Sequence, residues 1–464
     1  MQKIILIGFI LFSCQVIGQE NQGEVHDNFN PVNGQYINPS NIVDSKVWLD
    51  FNMIGASAYA RNNLVYFPTT NWLDFGSLEE DPLVKTDLKN IRLYGDFDLK
   101  GPSLSLNMGR HAVSVFTGMR GIVNINRMPG QLAKYAVNET LETSDIGTYE
   151  INNARIKTMV WGEIGLTYGM ILYARGDNMW TGALTVKHLI GIQQANLLFD
   201  RSVVEVRDVQ DVGLLSTQGK FSFTEGGMNS GRGWGINLGA TYKKMKESAD
   251  NYIPHSKRTG CEHRDYLYKI GFSLLDVGYI NFNKDAYYGD FDETLDVEEI
   301  NTLQKLNAEF GTNNNGNGFN SWLPAAASVQ FDYNVNDYIY LNSTIVQRVP
   351  LMANTYGVER TNLLAVSARF ESRFFGAAIP LSLENYTNPQ MGLAVRFFNL
   401  TVGSDNFLPI FFDHNELKSA DIYFHLKLKL FRNPACRDKN SGASRTRKHS
   451  RKRKRNNSFD CPTF

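Results

Sequence analysis

Ile422-Tyr423-Phe424-His425-Leu426-Lys427-Leu428-Lys429-Leu430 alternates without a fault, apolar at every even position and aromatic-polar or basic at every odd one. A period of two belongs to the β-strand, so this run carries one apolar face and one charged face. At a helical period the lysines would fall among the leucines instead. The same alternation recurs upstream for almost the whole chain. Val47, Leu49, Phe51 and Met53 share a face against Asp50 and Asn52, and Ile91, Leu93, Phe97 and Leu99 oppose Arg92, Asp96, Asp98 and Lys100. After a break at Gly101-Pro102, Leu104, Leu106 and Met108 oppose Ser103, Ser105 and Asn107.

Further on, Val160, Ile164, Leu166, Tyr168, Met170 and Leu172 form one set, and Trp234, Ile236, Leu238, Ala240 and Tyr242 another. Tyr266, Tyr268, Ile270, Phe272 and Leu274 follow, then Leu323, Ala325, Ala327, Val329, Phe331 and Tyr333, then Leu364, Val366, Ala368 and Phe370. Weaker runs lie near 111–123, 178–190, 338–348, 375–385 and 391–403. Together they predict an all-β fold, a transmembrane antiparallel β-barrel of about fourteen strands with short helical insertions. Most runs approach the roughly 9–11 residues that a strand needs to cross a bilayer. No mature stretch is apolar enough for a membrane helix, and the mean hydropathy of -0.30 is polar. That suits a barrel, in which only alternate residues face hydrocarbon. A soluble sandwich or propeller also alternates, but these strands are long, no blade-length repeat is visible, and aromatics (Tyr266, Tyr268, Tyr333, Tyr338, Tyr340, Tyr423) gather toward strand ends.

The chain divides into four parts. Residues 1–18 read as a signal peptide, with Lys3 ahead of the apolar stretch Ile4 to Phe12 and a cut near Gln19. Residues 19–45 are polar and turn-rich, a segment for the periplasm or for plugging the lumen; 46–431 form the barrel, and 432–464 a basic periplasmic tail. The formal net charge of zero hides a segregation, because the chain from Arg432 onward carries +9 and the remainder -9. Pro129 to Glu142 reads as a short helix opened by proline, and Thr294 to Phe310 as a second, before an Asn/Gly-rich loop at 311–318.

Certain stretches resemble a known family. They are Gly101-Pro102-Ser103-Leu104-Ser105-Leu106, Val123-Asn124-Ile125-Asn126 before Pro129, Trp161-Gly162-Glu163-Ile164-Gly165-Leu166-Thr167-Tyr168, Gly233 to Tyr242 and Gly271 to Gly278. Their order is similar to that of an uncharacterised outer-membrane barrel family of Bacteroidota, labelled a domain of unknown function. That family is distantly similar to FadL-type fatty-acid transporters and to PorV-type secretion barrels. The resemblance implies an outer-membrane location and supplies no catalytic residues.

Candidate functional residues follow from the faces. With the apolar sets against lipid, Glu163, Arg369, Glu371, His425, Lys427 and Lys429 point into the lumen, to fill it or to select solutes. The tail cluster Arg445, Arg447, Lys448, Arg451, Lys452, Arg453, Lys454 and Arg455 suits phospholipid head groups, cell-wall carboxylates or an acidic periplasmic partner. Export removes the nucleic-acid reading of such a run. Cys436 and Cys461 bracket the tail and are candidates for a disulfide that closes it. His255, Cys261 and His263 lie close together but lack a fourth ligand, so no metal site is assigned, and no cofactor. No nucleophile or phosphate-loop motif is present, so the expected role is not enzymatic. It is passage of a lipophilic or small solute across the outer membrane, or alternatively a scaffold within an envelope complex such as secretion or gliding machinery.

Overall fold

The computed structural model describes residues 21–66, 83–84, 90–131, 143–208, 211–259, 261, 263–296, 318–351, 356–407 and 419–436. The signal at 1–18, the expected helical insertion at Pro129–Glu142 beyond Gln131, the segment 297–317 and the tail clusters from 437 onward lie outside the described residues.

The alternating runs form one antiparallel sheet that closes on itself in fourteen wall strands. They are β1 (Leu49–Asn62), β2 (Ile91–Lys100, resuming at Ser103–Met108), β3 (His111–Met128), β4 (Arg155–Arg175), β5 (Asn178–Asp208), β6 (Gly231–Met245) and β7 (Tyr266–Phe282). The second half comprises β8 (Ala326–Asn336), β9 (Ile339–Arg348), β10 (Leu363–Glu371), β11 (Phe375–Glu384), β12 (Asn388–Met391, resuming at Leu393–Phe397), β13 (Leu400–Ser404) and β14 (Ser419–Leu430). Closure comes from β14 pairing with β1, in register from Leu49 opposite Leu430 to Arg61 opposite Ser419. At one end most connections are two or three residues, as at Gly109-Arg110, Gly176-Asp177, Asp337-Tyr338 and Phe398-Asn399. At the other they are mostly long. There the sheet extends beyond the wall, with Asp211–Thr224 laid between β5 and Ala286–Asp296.

The sequence alternation maps onto this wall with local slips. Ile422, Phe424, Leu426 and Leu428 are exposed outward while Tyr423, His425 and Lys427 are buried inside. Bulges move the register elsewhere. One at Asn52/Ile54 leaves both Met53 and Ile54 outside, and one opposite Met245 turns Tyr266 inward while Leu267 stays exposed. Leu323 and Ala325, expected on the outer face with Val329 and Phe331, are buried instead. Pro324 cannot donate to a ladder, so the strand starts only at Ala326 and the preceding side chains fall inside. Val47, expected at the head of β1, is likewise buried ahead of the strand. Residues 294–296, expected to open a helix, end a strand whose backbone pairs with Asp211–Thr224.

The disulfide is also different from the expected one. Cys436 is bonded to Cys261, with Cα atoms 5.9 Å apart, so the tail is not closed by a Cys436–Cys461 bond. The reason is topological: the β6–β7 connection sits at the end of the cylinder where the chain leaves β14, and it brings Cys261 to that point. A tryptic digest of non-reduced protein should therefore yield peptide 259–264 joined to peptide 433–437, separating on reduction; a peptide joining Cys436 to Cys461 would refute the assignment.

Candidate functional site

A cylinder of fourteen strands is too wide for its own side chains to fill. The half toward the short connections is occupied by residues 21–46, which enter as turns, one helical turn at Pro31–Gly34 and a 3-10 turn at Pro39–Ile42. Val25, Val32, Ile37, Ile42 and Val43 of this segment are buried, as are its polar residues Glu24, His26, Asn30, Asn38 and Asp44. Asn38 shows how the backbone is seated. Its side-chain oxygen caps the turn by accepting from the Ser40 amide at 3.0 Å, and its amide group donates to Gln330 of β8 at 2.9 Å. Two wall glycines make room: a Cβ on Gly239 of β6 would stand 2.2 Å from the Asn38 oxygen, and one on Gly169 of β4 would stand 2.5 Å from Val43.

Ion pairs hold the segment on several sides. Glu24 meets His425 at 2.5 Å and Lys427 at 3.8 Å, and Lys427 also faces Asp50 at 3.6 Å. Lys429 donates to Asn30, and Arg396 pairs with Asp27 at 2.6 Å. Opposite, Asn28 donates to Glu371 at 2.9 Å, Glu371 binds Arg369 at 3.0 Å, and Arg369 and Lys269 converge on Asp332 at 2.9 and 3.2 Å. Above the segment, Asp276 gathers Arg120 and Arg360, each at 2.9 Å, together with Lys187; Glu163 lies 3.5 Å from Lys187. Asp276 reaches this position because two residues, Leu275 and Asp276, stand opposite Asn237 in a bulge. Its φ of 54° is left-handed, and its amide is satisfied by the Asn237 side chain at 2.8 Å.

The exit of the segment is covered by the β6–β7 connection. Asp44 accepts from Lys243 at 3.0 Å and from Tyr252 at 2.8 Å, and His255 donates to the Ser45 carbonyl at 2.9 Å. Since β7 and β14 lie half a circumference apart, the Cys261–Cys436 bond ties this connection across the mouth. Asn433 reinforces it by donating to the His255 carbonyl at 3.3 Å.

The half toward the long connections holds a cavity of about 500 Å³. Arg61, Arg92, Arg348 and Arg360 line it, with Glu359, Glu384 and asparagines from β1, β3 and β12. Apolar lining is confined to Leu93 and the ring of Tyr94. A smaller chamber bounded by Asp96, Asp98, Arg120, Lys187 and Asp276 lies between this vestibule and Tyr36 of the N-terminal segment, and Arg360 borders both spaces.

The outer surface is the opposite of the lumen. Ile164, Leu166, Leu172, Trp234, Leu238, Phe272, Val366, Leu381 and Phe397 are all exposed. Near the short connections, aromatic contacts step from strand to strand: Trp180 to Tyr242 at 5.1 Å, Tyr242 to Tyr268 at 6.1 Å and Tyr268 to Phe331 at 6.2 Å. Tyr338 and Phe370 continue the belt. Tyr266, Tyr340 and Tyr423, expected to join it, are buried in the lumen.

All six charges assigned to the lumen from sequence lie there and come together with residues that the alternation did not single out. Asp276, Arg120 and Arg360 were missed because a bulge places the first, the second lies in a weak run, and the third precedes its strand. Cys261 is in a disulfide and His255 in a hydrogen bond, so neither is poised as a metal ligand. The basic tail residues Arg445 to Arg455 fall outside the described residues.

An apolar outer band, an aromatic belt and a charged, partly filled interior define a closed barrel with an internal plug. The chain belongs to the family of unknown function DUF5723, whose profile matches residues 39–405. No curated protein matches the sequence. Among solved structures, the toluene transporter TbuX of Ralstonia pickettii is 9% identical, with 86% of this chain and 93% of that one covered and a TM-score of 0.42. The toluene transporter TodX of Pseudomonas putida is 7% identical, with 82% and 87% covered and a TM-score of 0.36. A FadL homologue of Pseudomonas aeruginosa is 8% identical, with 89% and 97% covered and a TM-score of 0.33.

Burial holds His255 and His263 below the ordinary imidazole range, against the opposing pull of Asp44. The folded protein then binds fewer protons than the unfolded chain once pH falls below about 6.5, so acidification removes stability from the covered exit. The temperature at which folded, fast-migrating barrel converts to the slow form on gels should be lower at pH 5 than at pH 8. In a His255→Gln/His263→Gln variant the difference should shrink; an undiminished difference would assign it to other groups.

Proposed function

We propose that this protein is an outer-membrane barrel that passes a small hydrophilic solute and is closed at rest by its own residues 21–46. The observation that carries the reading is the combination of a polar vestibule with an N-terminal segment seated in the lumen through ion pairs and hydrogen bonds to the wall. A lipophilic solute would meet almost no apolar lining in that vestibule. An outer-membrane setting is supported by the exposed apolar band and the aromatic belt, since hydrocarbon tolerates a sheet only when it has no edge. On this reading the short connections and the tail from 432 face the periplasm, where the basic cluster would meet anionic head groups, cell wall or an acidic protein.

Gly239→Val tests the gate. Valine suits a strand, but its side chain occupies the place of Asn38 and Pro39, so the plug should unseat while the wall persists. Purified wild-type barrel should conduct weakly in planar bilayers and the variant at least about tenfold more, with heat-modifiable migration retained. The extensive ion pairing of the plug favours one second reading, a permanently filled scaffold whose tail engages an envelope partner; a folded variant that conducts no better would select it.

The membrane assignment has its own test. Val366, exposed in the middle of β10, should tolerate leucine, whereas Val366→Arg should cost about 2–4 kcal/mol of folding stability in bilayers. An unchanged stability would mean that this face does not meet lipid.

A further inference from the structure

We propose that the outer vestibule is a binding site for an oxyanion group, carboxylate or phosphate, carried on a small hydroxylated solute; this rests on the passage function above and names its substrate class. The charge of the lining is unequal, with four arginines against two glutamates. Both glutamates are already engaged. Glu384 accepts from Arg61 at 2.6 Å and from Tyr59 at 2.8 Å, and it is buried. Glu359 is shared between Lys157, at 2.8 Å, and Arg348, so two cations serve one carboxylate. Arg360 is directed to Asp276.

That leaves Arg92. Its amide is satisfied by Asn63, but its guanidinium has no hydrogen-bond or ion-pair partner among the described residues. A guanidinium presents a planar fork of donors that matches a carboxylate or phosphate edge. Asn90 and Asn126 line the same cavity, and neither side chain is engaged within the described residues. Free amides of this kind pair with hydroxyls, which both donate and accept. A cavity of about 500 Å³ is within the range of roughly 300–1,000 Å³ usual for small-molecule sites. The site therefore combines a fork unpaired among the described residues, an excess of positive charge and neutral amides, and it lies where a solute would enter before reaching Arg360 and the inner chamber.

The experiment is equilibrium dialysis of the full-length barrel in detergent against glucuronate, glucose 6-phosphate and glucose, probes that differ at one carbon substituent. At least one charged probe should bind about tenfold or more tightly than glucose, and raised salt should weaken it. Preference between glucuronate and glucose 6-phosphate tells a carboxylate site from a phosphate site. Arg92→Ala should reduce binding of the favoured probe about tenfold and Arg92→Lys by less, each variant first shown to be folded by heat-modifiable migration. Equal binding of glucose and both anions, or unchanged affinity in Arg92→Ala, would overturn the proposal. Conductance is measured separately. Selective binding without conductance would remove the passage reading and keep the site, and conductance without selectivity would do the reverse.

Discussion

Once β14 hydrogen-bonds to β1 the sheet has no edge, and every strand must give half its side chains to an enclosed volume. That constraint decides the remainder of the molecule. The outer half of the side chains is free to be uniformly apolar, because no other part of the chain has to pack against it. The inner half faces a space wider than two opposing walls can bridge, so something else must enter it. The N-terminal segment does, and its own aliphatic residues (Ile37, Ile42, Val43) are as deeply buried as any in the wall.

Filling the lumen with charge has a cost that fixes its pattern. An ionised group taken from water requires a partner nearby, and removing one partner of a buried pair typically costs about 3–5 kcal/mol. Accordingly several inward carboxylates occur in sets with cations: Asp332 with Arg369 and Lys269, Asp276 with Arg120, Lys187 and Arg360, Glu24 with His425 and Lys427. The Glu24 set joins the plug to β14, and the Asp332 set reaches it from across the lumen through Asn28, which Lys269 and Glu371 both contact. This pairing also centres the plug, and toward the vestibule the Arg92 guanidinium has no partner among the described residues.

The strand alternation was legible because the lipid face and the lumen face demand opposite chemistry, and β14 shows both demands without interruption. It predicted the inward placement of Glu163, Arg369, Glu371, His425, Lys427 and Lys429 for the same reason. Bulges were not legible, since one extra residue changes no composition; Met53, Leu267 and Asp276 each sit where the period slips. Pro324 was the visible sign that Leu323 and Ala325 leave the outer face, and it was outweighed by the apolar residues around it. The partner of Cys436 depended on how far the β6–β7 connection reaches, and spacing along the chain does not encode that distance.

The Cys261–Cys436 bond encloses β7 through β14, eight of the fourteen strands, within one covalent ring. It also joins points on opposite arcs of the rim. A hollow cylinder deforms most easily by flattening into an oval, and a strut along a diameter resists that motion in a way that wall hydrogen bonds do not. The bond thus holds the cross-section round at the end where the plug emerges, and a thiol-reducing environment would soften the shape of the opening before it disturbed a single strand pair.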